Sequence, residues 1–293
     1  MSAYTIKDLE SLSGVKAHTI RVWEQRYDFL KPQRTVSNIR YYCNQELKTL
    51  LNVSLLNKYG YKISHINKMT NGEIAEKVQL LDEETAQRER IVNELVQEMA
   101  VLNIFAFEQT LNKYIAARGI EKTIIQVVFP FLEKTGLLWQ TGNIHPAQEC
   151  LVTNSIRQKL IVAIETATSS VKPDQSFLLF LPEGEQHELG LLFMYYLIKS
   201  RGATAIYLGA DVPLKDVGYL VKIKKPSVVF VHLTAPCTSF NLDKFLLDIE
   251  KNFNDVPVII SGRLTHHLHK KIPGSVRFVK SQEEIMEYVS LIQ

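Results

Sequence analysis

The period of the hydrophobic pattern changes near residue 175, and this change constrains the fold more than any other feature. Beyond it, short β-branched or aromatic runs alternate with amphipathic stretches of helix length. The apolar runs are Phe177–Leu181, Ala205–Leu208, Val228–Leu233, Val256–Ile260 and Val276–Val279. Strands that alternate with helices pair in parallel and carry helices on both faces of the sheet. Residues 174–293 are therefore predicted to form a Rossmann-like (flavodoxin-like) five-stranded α/β domain.

Between residues 80 and 168 the pattern is helical. Apolar residues return every three or four positions, as at Val92, Leu95 and Met99. Clusters of Pro and Gly are absent apart from Pro130 and the Gly136–Pro146 stretch. This region is predicted to be a bundle of about four helices, so the whole chain is a multidomain α and α/β protein.

Residues 1–75 combine short helices with a basic turn. The spacing of Thr5 and Asp8 resembles a capping box and predicts a helix from Ile6 to Leu12. The tight turn 13–15 contains Gly14 and precedes a second helix over about 16–27. A helix, a Gly-containing turn and a second helix can seat the second helix in the major groove of DNA.

A basic hairpin is predicted over residues 31–42, with further helices at 44–58 and 63–68. A hairpin in this position acts as a wing along the phosphate backbone, where arginines bind phosphates and tyrosines donate hydroxyls. The predicted DNA contacts are Lys16, His18, Thr19, Arg21, Arg26, Arg34, Asn38, Arg40 and Tyr41.

The charge distribution agrees with this interpretation. Residues 1–70 contain eleven Lys and Arg but five Asp and Glu, a formal charge of +6 in a chain of +3. A basic head on a mildly acidic body is typical of a head that meets phosphates. A solvated basic face without a partner is the alternative.

Cysteine spacing and hydropathy predict a cytoplasmic protein that does not enter membranes. Cys43, Cys150 and Cys237 show neither metal-site nor disulfide spacing. The N-terminus lacks a signal-peptide pattern. The longest strongly apolar run, around Leu189–Ile198, is far shorter than the roughly 20 residues of a membrane span.

Residues 1–75 closely resemble the winged helix-turn-helix of the MerR family. The matching segments are Tyr4–Ile6, Ser13–Val15, Thr19–Glu24, Pro32, Arg34-Thr35, Arg40–Tyr42 and Leu47. Family members usually have Gly-Tyr-Arg in the wing, where this chain has Asn38-Ile39-Arg40. The resemblance implies a two-fold symmetric, double-stranded DNA operator bound by a dimer of heads. A degenerate winged helix used for protein contacts is the alternative.

The loop after the first predicted strand resembles the Asp-x-His-x-x-Gly motif of cobalamin-binding domains, here Glu185-x-His187-x-x-Gly190. The resemblance implies that His187 is the lower axial ligand of cobalt and that Glu185 holds the other ring nitrogen. It also implies that Gly190 lets a helix pack close to the nucleotide tail of cobalamin. Residues 207–213 match the next βα unit of such domains.

The predicted bundle resembles the cap of MerR regulators fused to a cobalamin module, the light-responsive carotenoid-repressor group. In that group Trp is followed after nine residues by Glu-His above the corrin; here Trp139 is followed by Glu149-Cys150. The resemblance implies a cobalamin cap in residues 80–168. In the group, adenosylcobalamin promotes tetramer formation and DNA binding, and light cleaves the cobalt–carbon bond and releases the DNA.

Four positions depart from the group's pattern. Glu185 replaces Asp, and Cys150 replaces the upper-face His. His232, two residues before Thr234, stands where Ser is expected, and Ser261-Gly262 replaces Gly-Gly. We expect the side chains of His232 and Ser261 to crowd the nucleotide tail. Cys150 is expected to be a buried core thiol.

Two interpretations of His187 remain open, a cobalt ligand or a partly exposed loop histidine. The candidate cofactor-binding residues are Trp139, Glu149, Cys150, Glu185, His187, Gly190, His232, Thr234, Ser261 and Gly262. The first function hypothesis is a cobalamin-responsive, DNA-binding transcription regulator that works as a dimer or tetramer. The second is a regulator of the same architecture that answers to another ligand or a protein partner. The third, a cobalamin-dependent enzyme subunit, is disfavoured by the DNA-binding head.

Overall fold

The computed structural model describes residues 4–35, 38–140, 144–171, 173–235, 240–253, 256–267 and 274–292, with side chains for all of these except 137–140 and 266–267. The chain divides into two compact units, Met1–Ser155 and Ile156–Gln293. The first unit contains the predicted head and most of the predicted bundle. The finer division into domains 1–75, 80–168 and 174–293 stays a prediction.

A helix-turn-helix opens the first unit, as predicted. Helix α1 is Ile6–Ser13 and helix α2 is Ala17–Arg26. The capping box is present, because the backbone N of Asp8 donates to the Thr5 hydroxyl and the backbone N of Thr5 donates to the Asp8 carboxylate. Gly14, at φ 72°, takes the left-handed conformation that ends α1 and starts the turn.

The wing is a two-stranded hairpin, and three more helices follow it in the chain. Strand β1 (Gln33–Arg34) pairs antiparallel with β2 (Arg40–Tyr41). The following helices are α3 (Asn44–Lys58), α4 (Ile63–Ile66) and α5 (Asn71–Gln79). Sequence reasoning predicted α3 and α4 but missed α5, although Thr70 and Glu73 form a capping box at its start.

The bundle has four helical segments, which confirms the prediction. They are α6 (Glu84–Ala100), α7 (Ile104–Arg118), a continuous segment and α10 (Pro146–Thr166). The continuous segment contains α8 (Ile120–Thr123), a π-helical turn (Ile124–Val128) and α9 (Phe129–Gln140). The π turn lies directly before Pro130, which has no N–H for the helical ladder. Within the described ranges, no helix is long and apolar enough to span a bilayer.

Side-chain packing and backbone caps hold the bundle together. The rings of Phe107 and Phe131 are fully buried and meet edge to face, with centroids 5.5 Å apart. The side-chain amide of Gln148 in α10 donates to the carbonyls of Met99 and Ala100 at the end of α6. The bond to Ala100 gives a partner to a carbonyl at the helix end, and the carbonyl of Met99 also accepts the backbone N–H of Leu102.

The second unit is the predicted parallel α/β domain. Its strands are β3 (Ser176–Pro182), β4 (Thr204–Val212), β5 (Val228–His232), β6 (Val258–Ser261) and β7 (Val276–Phe278). Its helices are α11 (Leu189–Ser200), α12 (Leu214–Lys224), α13 (Leu242–Asn252) and α14 (Gln282–Ser290), with a 3₁₀ turn at Arg263–His267. All five predicted strands are confirmed.

The order of the strands determines where a ligand can bind. The sheet runs β4-β3-β5-β6-β7 with parallel pairing throughout, so the chain reverses its direction of progress between β3 and β5. Loops after β3 and β5 therefore diverge at the carboxyl edge of the sheet and leave a crevice there, which is the usual ligand site of open parallel sheets. His187 follows β3, and His232 ends β5.

Candidate functional site

A fully buried carboxylate, Glu185, joins the two loops at this crevice. One oxygen accepts the backbone N–H of His187 at 2.9 Å and lies 2.6 Å from Nδ1 of the His187 ring. The other oxygen accepts the backbone N–H groups of Thr234 and Ala235, both at 2.8 Å. Glu185 thus connects the loop after β3 with the loop after β5.

The hydrogen bonds keep Glu185 ionised. Burial by itself would raise the pKa of its carboxyl group, but bonds from the side chain and backbone of His187 and from the two amides lower that pKa to about 2. The carboxylate therefore orients the imidazole of His187, whose side chain is 50% exposed. The longer side chain of Glu performs the orienting role expected of Asp at this position.

The imidazole of His232 lies deeper in the same crevice. Its Nδ1 is 2.8 Å from the hydroxyl of Ser261, the residue paired with it in the β5–β6 register. A Cβ atom placed on Gly190, in the first turn of α11, would lie 2.2 Å from Nε2 of His232. The ring therefore fills the space between the start of α11 and the ends of β5 and β6.

Burial lowers the pKa of His232 to about 4. The nearby negative charge of Glu185 acts in the opposite direction, and His187 adds to the lowering. The ring is therefore uncharged at neutral pH and packs as a compact aromatic group.

Gly262 is required by the backbone of the crevice. It has φ +102°, and a Cβ there would lie 2.4 Å from the carbonyl oxygen of Leu233. The glycine lets the chain after β6 pass the end of β5, so it has a structural reason to be present whatever the crevice binds.

A second carboxylate, Glu188, anchors the same loop and was missed by sequence reasoning. It accepts the hydroxyl of Tyr207 and forms an ion pair with Arg157 in the last part of α10. Burial and this hydrogen bond raise the pKa of Tyr207. The resemblance over residues 207–213 was the signal that could have identified Tyr207, whereas nothing local marks Arg157.

Three candidate cofactor-binding residues lie in the first unit, and the structure describes the side chains of two of them. Trp139 belongs to α9, but its side chain lies outside the described part of the chain. Glu149 is partly buried and Cys150 is exposed. The expectation of a buried Cys150 is wrong, because α10 turns Gln148, Val152 and Ser155 inward and Cys150 lies on the opposite side of the helix.

Most of the predicted DNA contacts lie on accessible surface of the head. Six are exposed, namely Lys16, His18, Arg21, Arg26, Arg34 and Asn38. Three are partly buried, namely Thr19, Arg40 and Tyr41. In the wing, Nη1 of Arg34 donates to the side-chain oxygen of Asn38 at 2.6 Å. Trp23 is 8% exposed and belongs to the core of the head.

A buried carboxylate of α2, Glu24, fixes the wing. Its oxygens accept Nε of Arg40 at 3.1 Å and the hydroxyl of Tyr42, which is fully buried. Burial, with the bond to Glu24, raises the pKa of Tyr42. Arg40 therefore holds the wing against α2 through one edge of its guanidinium group.

Comparisons with known proteins agree with this architecture. Residues 4–73 match the family described as MerR HTH family regulatory protein. The chain is similar to the HTH-type transcriptional repressor CarH of Myxococcus xanthus, with 27% identity over 88% of each chain. It is also similar to the repressor CarA of Myxococcus xanthus, with 25% identity over 96% of this chain and 94% of that one.

Among solved structures, the monomethylamine corrinoid protein of Methanosarcina barkeri has a similar fold. The TM-score is 0.55 at 16% identity, over 70% of this chain and 99% of that protein. Residues 4–73 thus form a MerR-type helix-turn-helix domain, and the fold beyond it is that of a corrinoid protein. Together these parts give a MerR-type helix-turn-helix followed by a fold similar to that of the corrinoid protein.

The first prediction concerns Gly262. The Gly262→Ala substitution should destabilise the chain by about 1–3 kcal/mol or more, because it adds a clash to a left-handed backbone. Gly218→Ala is the matched control, since a Cβ at this buried helix position would make an ordinary 3.6 Å contact with Asn252. The control should be neutral or stabilising by up to about 1 kcal/mol in urea unfolding. Equal effects of the two substitutions would contradict the account of Gly262.

The pKa of His232 is about 4 in the folded chain, below the ordinary value of 6.5. At a pH between these two values the unfolded chain binds more protons than the folded chain does. The contribution of His232 to the free energy of unfolding is therefore complete above the upper value and is lost as the pH falls toward the lower one. The free energy of unfolding, measured in urea, is expected to be higher at about pH 7 than at about pH 5, and His232→Gln should make this difference smaller.

Two features make this pH test specific. The control variant His65→Gln replaces an exposed histidine of α4 and measures what a histidine-to-glutamine substitution by itself does to the unfolding curve. Because the pKa of Glu185 is lowered, the folded chain loses further stability at more acidic pH, below the ordinary carboxyl pKa of 4.5. An unchanged pH dependence in His232→Gln would show that His232 does not titrate as described.

Proposed function

We propose that the chain is a DNA-binding transcription regulator whose C-terminal unit senses a corrinoid. The observation that carries the first part is the winged helix-turn-helix, with α2 and the wing presenting exposed cationic side chains. The match of residues 4–73 to the MerR family supports it. The relatives CarH and CarA are both transcriptional repressors, and this favours a regulator over an enzyme subunit.

In this proposal α2 enters the major groove and the wing lies along the backbone. Lys16, Arg21 and Arg26 supply positive charge on α2, and Arg34 supplies it on the wing. Arg40 contacts a phosphate with the edge of its guanidinium group that does not bind Glu24. Its ion pair with Glu24 also fixes the position of the wing. Two heads bind a two-fold symmetric operator, with the sensor unit governing assembly into dimers or tetramers.

DNA binding should depend on salt in the way that phosphate contacts require. Arg34→Ala should weaken binding of the full chain to a random-sequence duplex and lower the slope of log K against log salt by about one. Lys222→Ala, which removes an exposed charge of the C-terminal unit, should leave that slope unchanged. Fluorescence anisotropy over a range of salt concentrations measures both. Equal slopes in wild type and Arg34→Ala would count against the wing model.

The proposed corrinoid site is the crevice at the carboxyl edge of the sheet. His187 would be the ligand of cobalt, since its ring is half exposed and oriented by an ionised, fully buried carboxylate. These residues fit the lower face of a corrinoid. Trp139, Glu149 and Cys150 would cover the upper face, as the resemblance to the carotenoid-repressor group implies. Adenosylcobalamin, when bound, would supply a cobalt–carbon bond that light can break.

Corrinoid uptake is tested by spectrophotometric titration in the dark. Wild-type chain should give a saturable change in the corrinoid spectrum with hydroxocobalamin or adenosylcobalamin. His187→Ala should abolish the ligation-dependent part of that change, because no imidazole reaches cobalt from this loop. His65→Ala, an exposed histidine of α4, is the matched control and should behave as wild type. No saturable change with either cobalamin, or with the tail-less corrinoid cobinamide, would exclude the corrinoid sensor.

A regulator of the same architecture that needs no cobalamin is the second candidate. The observation that favours it is the position of His232, whose ring fills the space beside Gly190. Such a protein would answer to another ligand or to a protein partner. It would show the salt-dependent DNA binding without any corrinoid spectrum, so the two experiments together separate the candidates.

A further inference from the structure

The space beside Gly190 is occupied by the protein itself. Its boundaries are the first turn of α11 at Gly190 and the ends of β5 and β6 at His232 and Ser261. We name this space the tail slot, since the resemblance to cobalamin-binding domains places the nucleotide tail next to this glycine. A methyl group on Gly190 would come within 2.6 Å of three atoms of the His232 ring. No planar base can share that space with the ring.

Two interactions keep the ring of His232 in the tail slot. Its Nδ1 bonds the Ser261 hydroxyl at 2.8 Å, and Ser261 is fully buried. If the ring turned out of the slot, Ser261 would lose this partner in a place where water cannot easily replace it. The β5–β6 ladder pairs the two residues directly, so the backbone also holds them side by side.

We propose that His232 closes the tail slot, so that a corrinoid binds at His187 with its nucleotide tail outside the domain. The inference rests on the proposed function, because it presupposes a corrinoid at His187. It also specifies the class of ligand, because only the corrin ring is recognised. The affinity should not depend on which nucleotide a natural corrinoid carries. A corrinoid that lacks the nucleotide should bind better than complete cobalamin, which must keep its tail away from the crevice.

The test compares two corrinoids on the full chain. Hydroxocobalamin carries the nucleotide tail, and aquahydroxocobinamide lacks it. Dissociation constants are measured in the dark by spectrophotometric titration and by isothermal titration calorimetry. Wild type should bind cobinamide roughly 10- to 100-fold more tightly than hydroxocobalamin, because the displaced tail of hydroxocobalamin gains no contacts in the filled slot and its confinement outside the crevice costs free energy.

Opening the slot should reverse this preference. His232→Ser removes the ring and should strengthen hydroxocobalamin binding while changing cobinamide binding little. Ser261→Gly removes the hydroxyl that holds the ring and should have the same effect to a smaller degree. This second variant retains His232 and keeps the test valid if His232→Ser fails to fold. His65→Ser is the matched control and should leave both dissociation constants unchanged.

The outcomes separate this inference from the proposed function. If wild type binds no corrinoid and an opened variant gains hydroxocobalamin binding, closure by His232 stands and the proposed corrinoid sensor is wrong. If wild type binds hydroxocobalamin at least as tightly as cobinamide, and the variants do not differ from it, closure is wrong and the sensor stands. If neither wild type nor any folded variant binds a corrinoid, both are wrong.

Discussion

The carboxyl edge of the C-terminal sheet depends on one buried carboxylate, Glu185. It accepts three backbone N–H groups and faces the ring of His187, so it joins the loops after β3 and β5. A parallel sheet whose strand order reverses at these strands would otherwise leave the loops to diverge. Without this side chain, the amides of Thr234 and Ala235 would lose their acceptor, and His187 would lose the group that sets its orientation.

Two histidines of this crevice differ in how far their side chains are exposed to solvent: His187 is exposed and His232 is partly buried. His187 projects from the loop with half of its side chain exposed, whereas burial depresses the pKa of His232 and keeps its ring neutral. The first has the setting of a ligand presented to an incoming group. The second has the setting of a packing element, with Gly190 beneath it and Ser261 as its partner. The fold is similar to that of a corrinoid protein, and the ring of His232 fills one part of the crevice.

The head uses a similar device. Glu24 of α2 is largely buried and binds Arg40 and Tyr42, so the wing and the second helix of the helix-turn-helix are fixed to each other. In both units one carboxylate accepts hydrogen bonds from a segment that is distant in sequence. In the head, this places cationic side chains of α2 and the wing on one rigid element, which favours specific reading of a DNA duplex.

Local patterns in the sequence determined the elements of this protein. Alternating periods predicted all five strands of the parallel sheet, and Thr5, Asp8 and Gly14 defined the ends of α1, because caps and amphipathic faces are encoded within a few residues. The motif Glu185-x-His187 was also readable, since its two side chains meet within one loop. Helix α5 was missed although its capping box is local, because the segment 63–75 was interpreted as one helix followed by the end of the head.

Only the tertiary structure decided the contacts between segments that are distant in sequence. His232, Ser261 and Gly190 meet because parallel pairing and the start of α11 bring them together, and no local pattern measures how much space they leave. The exposure of Cys150 depended on the rotation of α10 about its axis, which tertiary packing sets. The sequence alone thus determined the type of each element and the chemistry available at its ends. Long-range packing decided which of these groups face solvent and which fill the crevice.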